Sequence, residues 1–369
     1  MRGKILALLM TLTILATTVM GCASSSKSQE TTNENQVESS STEFPITIKH
    51  AYGETTITSQ PERVVTLSWA NQDAILALGV VPVGVSAANF GMMSENNLHL
   101  WTEEAFNNLG ETNPNVFNDE TGWDYEAIAA AQPDIIVASY SGMTEEEYNL
   151  LSEIAPVIPF LETAWKTNWR EQTITNATAI GKKEEGEALV EETDALISDK
   201  LANFPELEGK TAAFFWISQD DMSTFYAYLP ADPRASYLND LGFTTPESIL
   251  SLASSTEDFS VTISRENAEL LNDVDIMVVY GDEGLLEALK ADPLMSQIPA
   301  VKNDAVVLLD STSILAAATT PSILSIPYSI DERQKENRRV RRSARRAVGS
   351  ERRTVRAVNI SLVIGQGVL

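Results

Sequence analysis

At 369 residues, 43% of them hydrophobic, the chain is long enough to bury a large core and to divide into two lobes. It carries 26 Lys and Arg against 52 Asp and Glu, a formal charge of −26, and so acidic a body repels phosphates and argues against nucleic-acid binding. The single cysteine, Cys22, excludes an intrachain disulfide, and two histidines, His50 and His99, leave little for a histidine-based metal site.

Taken in chain order, residues 1–21 have the pattern of a lipoprotein signal peptide. Arg2 and Lys4 form a small positive start, "ILALLMTLTILATTVM" is the apolar stretch, and "VMGC" ends on Cys22. The run is short for a membrane span and is followed by a polar linker. It resembles a bacterial lipobox, with an unusual methionine before Gly21, in which Cys22 is acylated and becomes the first residue of the mature chain. Residues 22–43, including "ASSSKSQETTNENQVESSST", hold almost no large apolar side chain. They cannot bury enough surface to offset ordering entropy and are expected to be a flexible tether.

From Phe44 the pattern is α/β. The runs "RVVTLS", "PVGVS", "DIIVAS" and "PVIPFL" alternate with "NQDAILALG" and "YEAIAAAQ", whose apolar residues recur at helical spacing. Continuous Val/Ile/Leu strands are those of a sheet covered on both faces. The same grammar restarts with "KTAAFFWIS", "VDIMVVYG" and "AVVLLDS" as strands and "RASYLNDLG" and "SRENAELLN" as helices. Residues 124–140 and 264–280 echo one another, each a polar cap, a Glu two residues on, a helix, an Asp and a strand ending in Tyr. Residues 182–204 predict one helix of roughly 30 Å between the lobes. The expected fold class is therefore α/β, with two Rossmann-like α/β lobes (44–181 and 205–332) joined by a single long α-helix (182–204).

The order and spacing of "PERVVTLSWANQDAILALGVVPVGVS", "YEAIAAAQPDIIVASYSGMTEEEYNLLSEIAPVIPF", "DPLMSQIPAVKNDAVVLLD" and "SIPYSIDE" resemble an iron–siderophore ABC-transporter substrate-binding lipoprotein from about residue 45 to Glu332. The resemblance implies a ligand cleft between the lobes, capture of a ferric siderophore, delivery to a dimeric membrane permease, and a lipid-anchored monomer on the extracytoplasmic face of a bacterial membrane. Iron would be carried only as the chelate, with no cofactor of the protein's own. Haem or cobalamin capture on the same fold is the alternative, and a secreted siderophore esterase is a further one. Against an enzyme, the chain holds no Gly-x-Ser-x-Gly, His-Glu-x-x-His or Walker-type loop.

Ligands of open α/β sheets gather at the carboxyl ends of strands. Trp69, Tyr140, Trp216 and Tyr280 stand at strand ends, and Trp165 and Trp169 where the first lobe leads into its last helix. Each could be core edge; together they suggest flat amphipathic cleft walls. Arginines are scarce in the body, and in the resembling family cleft Arg and Tyr side chains contact the iron-bound oxygens. Arg234 is then the first candidate and Arg170 the second, with Tyr226 and Tyr228 on what reads as a loop before Arg234. So few basic residues favour a neutral or cationic hydroxamate over an anionic catecholate. Glu126 and Glu266, in matching first turns, complement helix dipoles, and the resemblance implies that they dock onto permease arginines.

Residues 333–369 hold eleven Lys and Arg against two Asp and Glu, ten of the basic residues being Arg. A basic arm for nucleic acid is one reading. A reading-frame shift near codon 332 accounts better for the abrupt change in composition.

Overall fold

The structure is a computed structural model that describes residues 43–119 and 121–330. The expected signal peptide, Cys22, the tether as far as residue 42 and the basic tail lie outside those residues.

The first element is a hairpin, β1 (Ile46–His50) paired antiparallel with β2 (Gly53–Ile57). Its alternating side chains put Ile48 and Ile57 into the core, and Thr55 Oγ1 donates to the carbonyl of Val157 at 2.8 Å. His50, buried in this hairpin, bonds Thr55 through Nε2 at 3.0 Å.

The N-terminal lobe then runs β3 (Val64–Thr66), α1 (Asn71–Ala77), β4 (Gly84–Ser86), α2 (Leu100–Asn108), β5 (Val116–Phe117), α3 (Tyr125–Ala130), β6 (Ile135–Val137), α4 (Glu145–Ser152) and β7 (Val157–Ile158). The five strands are parallel in the order β5-β4-β3-β6-β7. Strand order reverses between β3 and β6, so the loops leaving those two strands diverge and open a crevice at their carboxyl ends. That geometry alone places the candidate site.

Two helices lead out of the lobe, α5 (Trp169–Ala179) and α6 (Lys183–Leu201). The 19 residues of α6 span about 28 Å at the helical rise. Gly186 lets α6 approach α5 closely, since a Cβ there would sit 2.3 Å from that of Ala177. Val190 and Ile197 of α6 join one buried cluster with Ala74 and Trp169 from the first lobe and Phe214, Leu238 and Ile323 from the second. The lobes therefore share a core rather than hanging on a flexible strand.

The C-terminal lobe comprises β8 (Ala212–Trp216), β9 (Thr224–Tyr228), α7 (Pro233–Asp240), α8 (Glu247–Leu250), β10 (Ser260–Ser264), β11 (Ile276–Tyr280), α9 (Glu283–Ala291), α10 (Pro299–Lys302), β12 (Val306–Leu309) and α11 (Ile314–Ala317). Its sheet, β10-β9-β8-β11-β12, is mixed: β8, β11 and β12 are parallel, whereas β9 runs antiparallel to both of its neighbours, β8 and β10. Two sequence expectations change here. Tyr226 and Tyr228 stand on β9 and not in a loop, and "SRENAELLN" winds as a 3₁₀ helix over Arg265–Leu270. The echo between 124–140 and 264–280 survives as element order, α3 then β6 and the 3₁₀ helix then β11.

Candidate functional site

The crevice at the switch point holds a cavity of about 260 Å³, with Trp69, Gln72, His99, Asp119, Trp123 and Trp165 among its lining. The turn after β3 carries Ser68 and Ala70 in the left-handed region, at φ 67° and 57°, and so turns Trp69 off the end of the strand. Asn71, fully buried, ties the two diverging loops together. Its Nδ2 donates to the carbonyls of Leu67 and Tyr140 at 2.7 and 3.0 Å, and its Oδ1 accepts from the Tyr140 amide at 3.2 Å. Trp165 lies over Gly142, where a Cβ would fall 2.2 Å from the indole Nε1; glycine is the residue that admits the ring.

Trp165 meets Tyr140 edge-on at 5.4 Å, and Tyr140 leads to the opposite lobe. Its hydroxyl bonds Thr320 and feels the charges of Asp232 and Arg234. Burial, with Asp232 adding to it, pushes that hydroxyl far above the ordinary tyrosine range, so it stays protonated. On the second lobe Asp232 caps α7, accepting from the Arg234 amide at 2.7 Å, and also pairs with the Arg234 side chain at 2.5 Å. The Arg234 guanidinium lies 4.0 Å from the centre of the Tyr228 ring. Burial opposes its charge, but the Asp232 carboxylate outweighs burial and holds the proton more firmly than usual. Tyr280 stands beside Arg234, bonds Thr319 at 2.7 Å, and takes Phe90 of the first lobe edge-on at 5.3 Å. Trp216 and Tyr226, opposite one another on β8 and β9, continue the Phe214–Tyr228 face as an exposed aromatic pair with rings 5.7 Å apart.

Residues 64–312 match the family model of the periplasmic binding proteins. The chain belongs to the periplasmic binding protein family. It is 29% identical to the probable siderophore-binding lipoprotein YfiY of Bacillus subtilis over 70% of this chain and 74% of that protein. It is 25% identical to the Fe(3+)-citrate-binding protein YfmC of the same organism, over 82% of this chain and 88% of the relative. Among solved structures, PiaA of Streptococcus pneumoniae in complex with ferrichrome is 43% identical and superposes with a TM-score of 0.74, covering 78% of this chain and 95% of PiaA.

In this periplasmic binding protein Trp69 and Trp165 line the cavity, Tyr140 lies between Trp165 and the Asp232–Arg234 pair, and Tyr228 and Tyr280 stand beside Arg234. It does not bring Trp169 and Arg170 there. Trp169 is 2% exposed in the core shared by the lobes, its Nε1 donating to Asp240 at 3.0 Å. Arg170 pairs with Asp194 at 2.6 Å and Asp240 at 2.8 Å, and its guanidinium covers the Trp169 ring. Both belong to interlobe packing, because α5 turns its first residues towards α6 and α7. Glu126 and Glu266 are exposed in the first turns of α3 and of the 3₁₀ helix.

Gln72, Trp123 and Asn71 belong to no motif, so the sequence does not mark them. His99 is the N-cap residue of α2, without a side-chain capping bond, 3% exposed and stacked on Trp101 at 4.6 Å. Burial pushes its pKa down to about 4, so the ring is neutral at pH 7. The overlooked signal was spacing: Gln72 lies on the first helical turn after β3, the usual ligand-facing position of this topology. Among the described residues no cluster of three or more His, Cys, Asp or Glu side chains is arranged to hold a metal, and no helix is long and apolar enough to cross a membrane.

Proposed function

We propose that this chain is a siderophore-binding component of an iron ABC importer, anchored by lipid at Cys22, that captures a ferric hydroxamate and passes it to a permease dimer. The observation that carries the reading is the Arg234–Asp232 pair set among Tyr140, Tyr228 and Tyr280. An arginine held this rigidly can donate to several chelate oxygens, while the tyrosine rings pack against its methylenes. Asp232 offsets the arginine's charge, so the pair presents little net field to a strongly anionic catecholate or citrate complex. The 43% identity to a protein solved with ferrichrome supports the same ligand class. The chelate supplies all ligands to iron, and the protein recognises its organic shell without catalysing a reaction on it.

Tryptophan fluorescence titrated with ferrichrome, ferric enterobactin and ferric citrate tests the ligand class. Saturable tight binding of the hydroxamate is expected, and binding of ferric enterobactin or ferric citrate alone overturns the assignment. Release of a Cys22→Ser variant into the medium tests the anchor, whereas retention at the membrane refutes it.

A further inference from the structure

The lobes meet through loops on either side of Arg234, and the two meetings differ in kind. At one, Phe90 lies edge-on to Tyr280 at 5.3 Å and the Met92 amide donates to the carbonyl of Ser313 at 3.2 Å. Gly91 packs there so closely on Ala317 that a Cβ on it would fall 2.4 Å from the alanine Cβ. At the other, Lys166 Nζ donates to the Glu257 carboxylate at 3.0 Å and to the Glu257 carbonyl at 2.5 Å. Tyr280 ends β11, and Phe259, two residues after Glu257, leads into β10. Sheet order sets those strands on opposite sides of β8 and β9, and both rings stand near Arg234, so the two junctions flank it.

The Lys166 junction is loosely built. Beside the ion pair lies a cavity of about 330 Å³, with Glu162, Lys166 and Glu171 of the first lobe and Ala231, Ser236 and Glu257 of the second in its lining. Charge, and not buried apolar surface, bridges the lobes at this point. Among the described residues Lys166 is the one cation of that lining, against three carboxylates. Burial, and after it the charge of Glu162, holds the Glu171 carboxyl above its ordinary range, which marks repulsion within the group. Without Lys166, Glu162 and Glu171 on one wall would oppose Glu257 on the other. The Glu257 side chain is 73% exposed, so water and salt reach the pair, and a solvated ion pair opens far more readily than a close-packed contact.

The bridge is also joined to the walls of the crevice. Trp165 has a left-handed φ of 62°, and the loop sets its ring on Tyr140 while the next side chain, Lys166, reaches across to Glu257. Phe259 in turn lies 6.2 Å from Tyr228.

We propose that the Lys166–Glu257 bridge is a latch: the lobes stay joined on the Phe90–Tyr280 side and part on the Lys166 side to admit and release the ligand. The inference goes beyond the hydroxamate reading and rests on it only for the probe that follows release.

Two readouts on the full chain carrying Cys22→Ser test it. The first needs no ligand. Spin labels at Glu146→Cys on α4 and Thr262→Cys on β10, both exposed positions, report the separation of the lobes by pulsed electron resonance. Adding Lys166→Glu is expected to lengthen and broaden the distance distribution, and an unchanged distribution overturns the latch. The second is stopped-flow release of ferrichrome. Lys166→Met is expected to speed release about fivefold at low salt, and the wild type should approach the variant's rate in about 1 M salt. Adding Glu257→Gln to Lys166→Met should change release no further, since the partner is already gone. Release within twofold of the wild type for Lys166→Met, or additive effects in the double variant, overturns the proposal. A wild type that binds no ferrichrome brings down the hydroxamate reading alone, and the spin-label distances then decide the latch.

Discussion

The Arg234 guanidinium rests 4.0 Å from the centre of the Tyr228 ring while its Nη2 donates to Asp232 at 2.5 Å. The Asp232 carboxylate is fully buried beneath it. On the proposed reading one residue is thus both a ligand contact and the cover over an internal charge. Arg234→Lys keeps the charge but loses the planar fork and the stacking. It is expected to lower hydroxamate affinity at least tenfold, about 1.4 kcal/mol, in a fluorescence titration. Arg234→Ala strands the Asp232 carboxylate and should cost about 3–5 kcal/mol in urea denaturation. Unchanged affinity in the lysine variant would remove Arg234 from the binding site.

Arg170 gives the opposite pattern. Its donors are taken up by Asp194 and Asp240, so Arg170→Gln should leave siderophore affinity within twofold. The pairs are partly exposed, and with the contact to Trp169 their loss is worth about 1–2 kcal/mol of stability. A tenfold loss of affinity at unchanged stability would return Arg170 to the ligand.

Asp73 is fully buried and accepts from Trp101 Nε1 and Thr102 Oγ1 at 2.8 Å and from Ser322 Oγ at 2.5 Å, which links the first lobe to the last described segment. Burial raises its pKa to about 6 despite those donors. The folded state therefore holds this proton more tightly than the unfolded state. The resulting stability is fully present below about pH 4 and is lost as pH rises through about 6. Relative to Asp73→Asn, which does not titrate, the wild type should lose on the order of 3 kcal/mol between pH 4 and 7. Denaturation midpoints of the two proteins that run parallel across this range would show that Asp73 does not titrate there.

Glu126 and Glu266 are exposed in corresponding turns of the two lobes, and neither lines the first-lobe cavity. Reversing both charges, Glu126→Lys with Glu266→Lys, should abolish siderophore uptake by cells and leave affinity in solution unchanged. Uptake at the wild-type rate would exclude these two residues from permease docking.

The strands that the sequence made legible are continuous apolar runs, such as Ile135–Val137 and Ile276–Tyr280, because a strand covered on both faces has no polar residues to obscure it. The antiparallel pair β9 and β10 escaped notice because alternate residues face solvent. Thr224–Tyr228 mixes exposed Thr224 and Tyr226 and half-buried Tyr228 with buried Phe225 and Ala227 and so has the composition of a loop. Candidate site residues divided in the same way. The positions of Trp69 and Tyr140 were readable because they follow β3 and β6, the strands on either side of the switch point. Trp169 was misplaced because an aromatic at a helix start has the same local pattern whether it faces a cleft or a neighbouring helix.

By itself the sequence determined the α/β grammar, a long helix in mid-chain, observed as Lys183–Leu201, and the scarcity of arginine that makes Arg234 conspicuous, since all of these are written in local composition and spacing. Tertiary structure alone decided which side chains face the crevice. That choice depends on contacts between residues some 70 to 250 positions apart, such as Trp169 with Asp240 and Asp73 with Ser322. Whether a buried indole N–H is satisfied depends on the neighbour that folding brings to it. Trp169 found Asp240, whereas the indole N–H groups of Trp69 and Trp123 have no partner among the described residues.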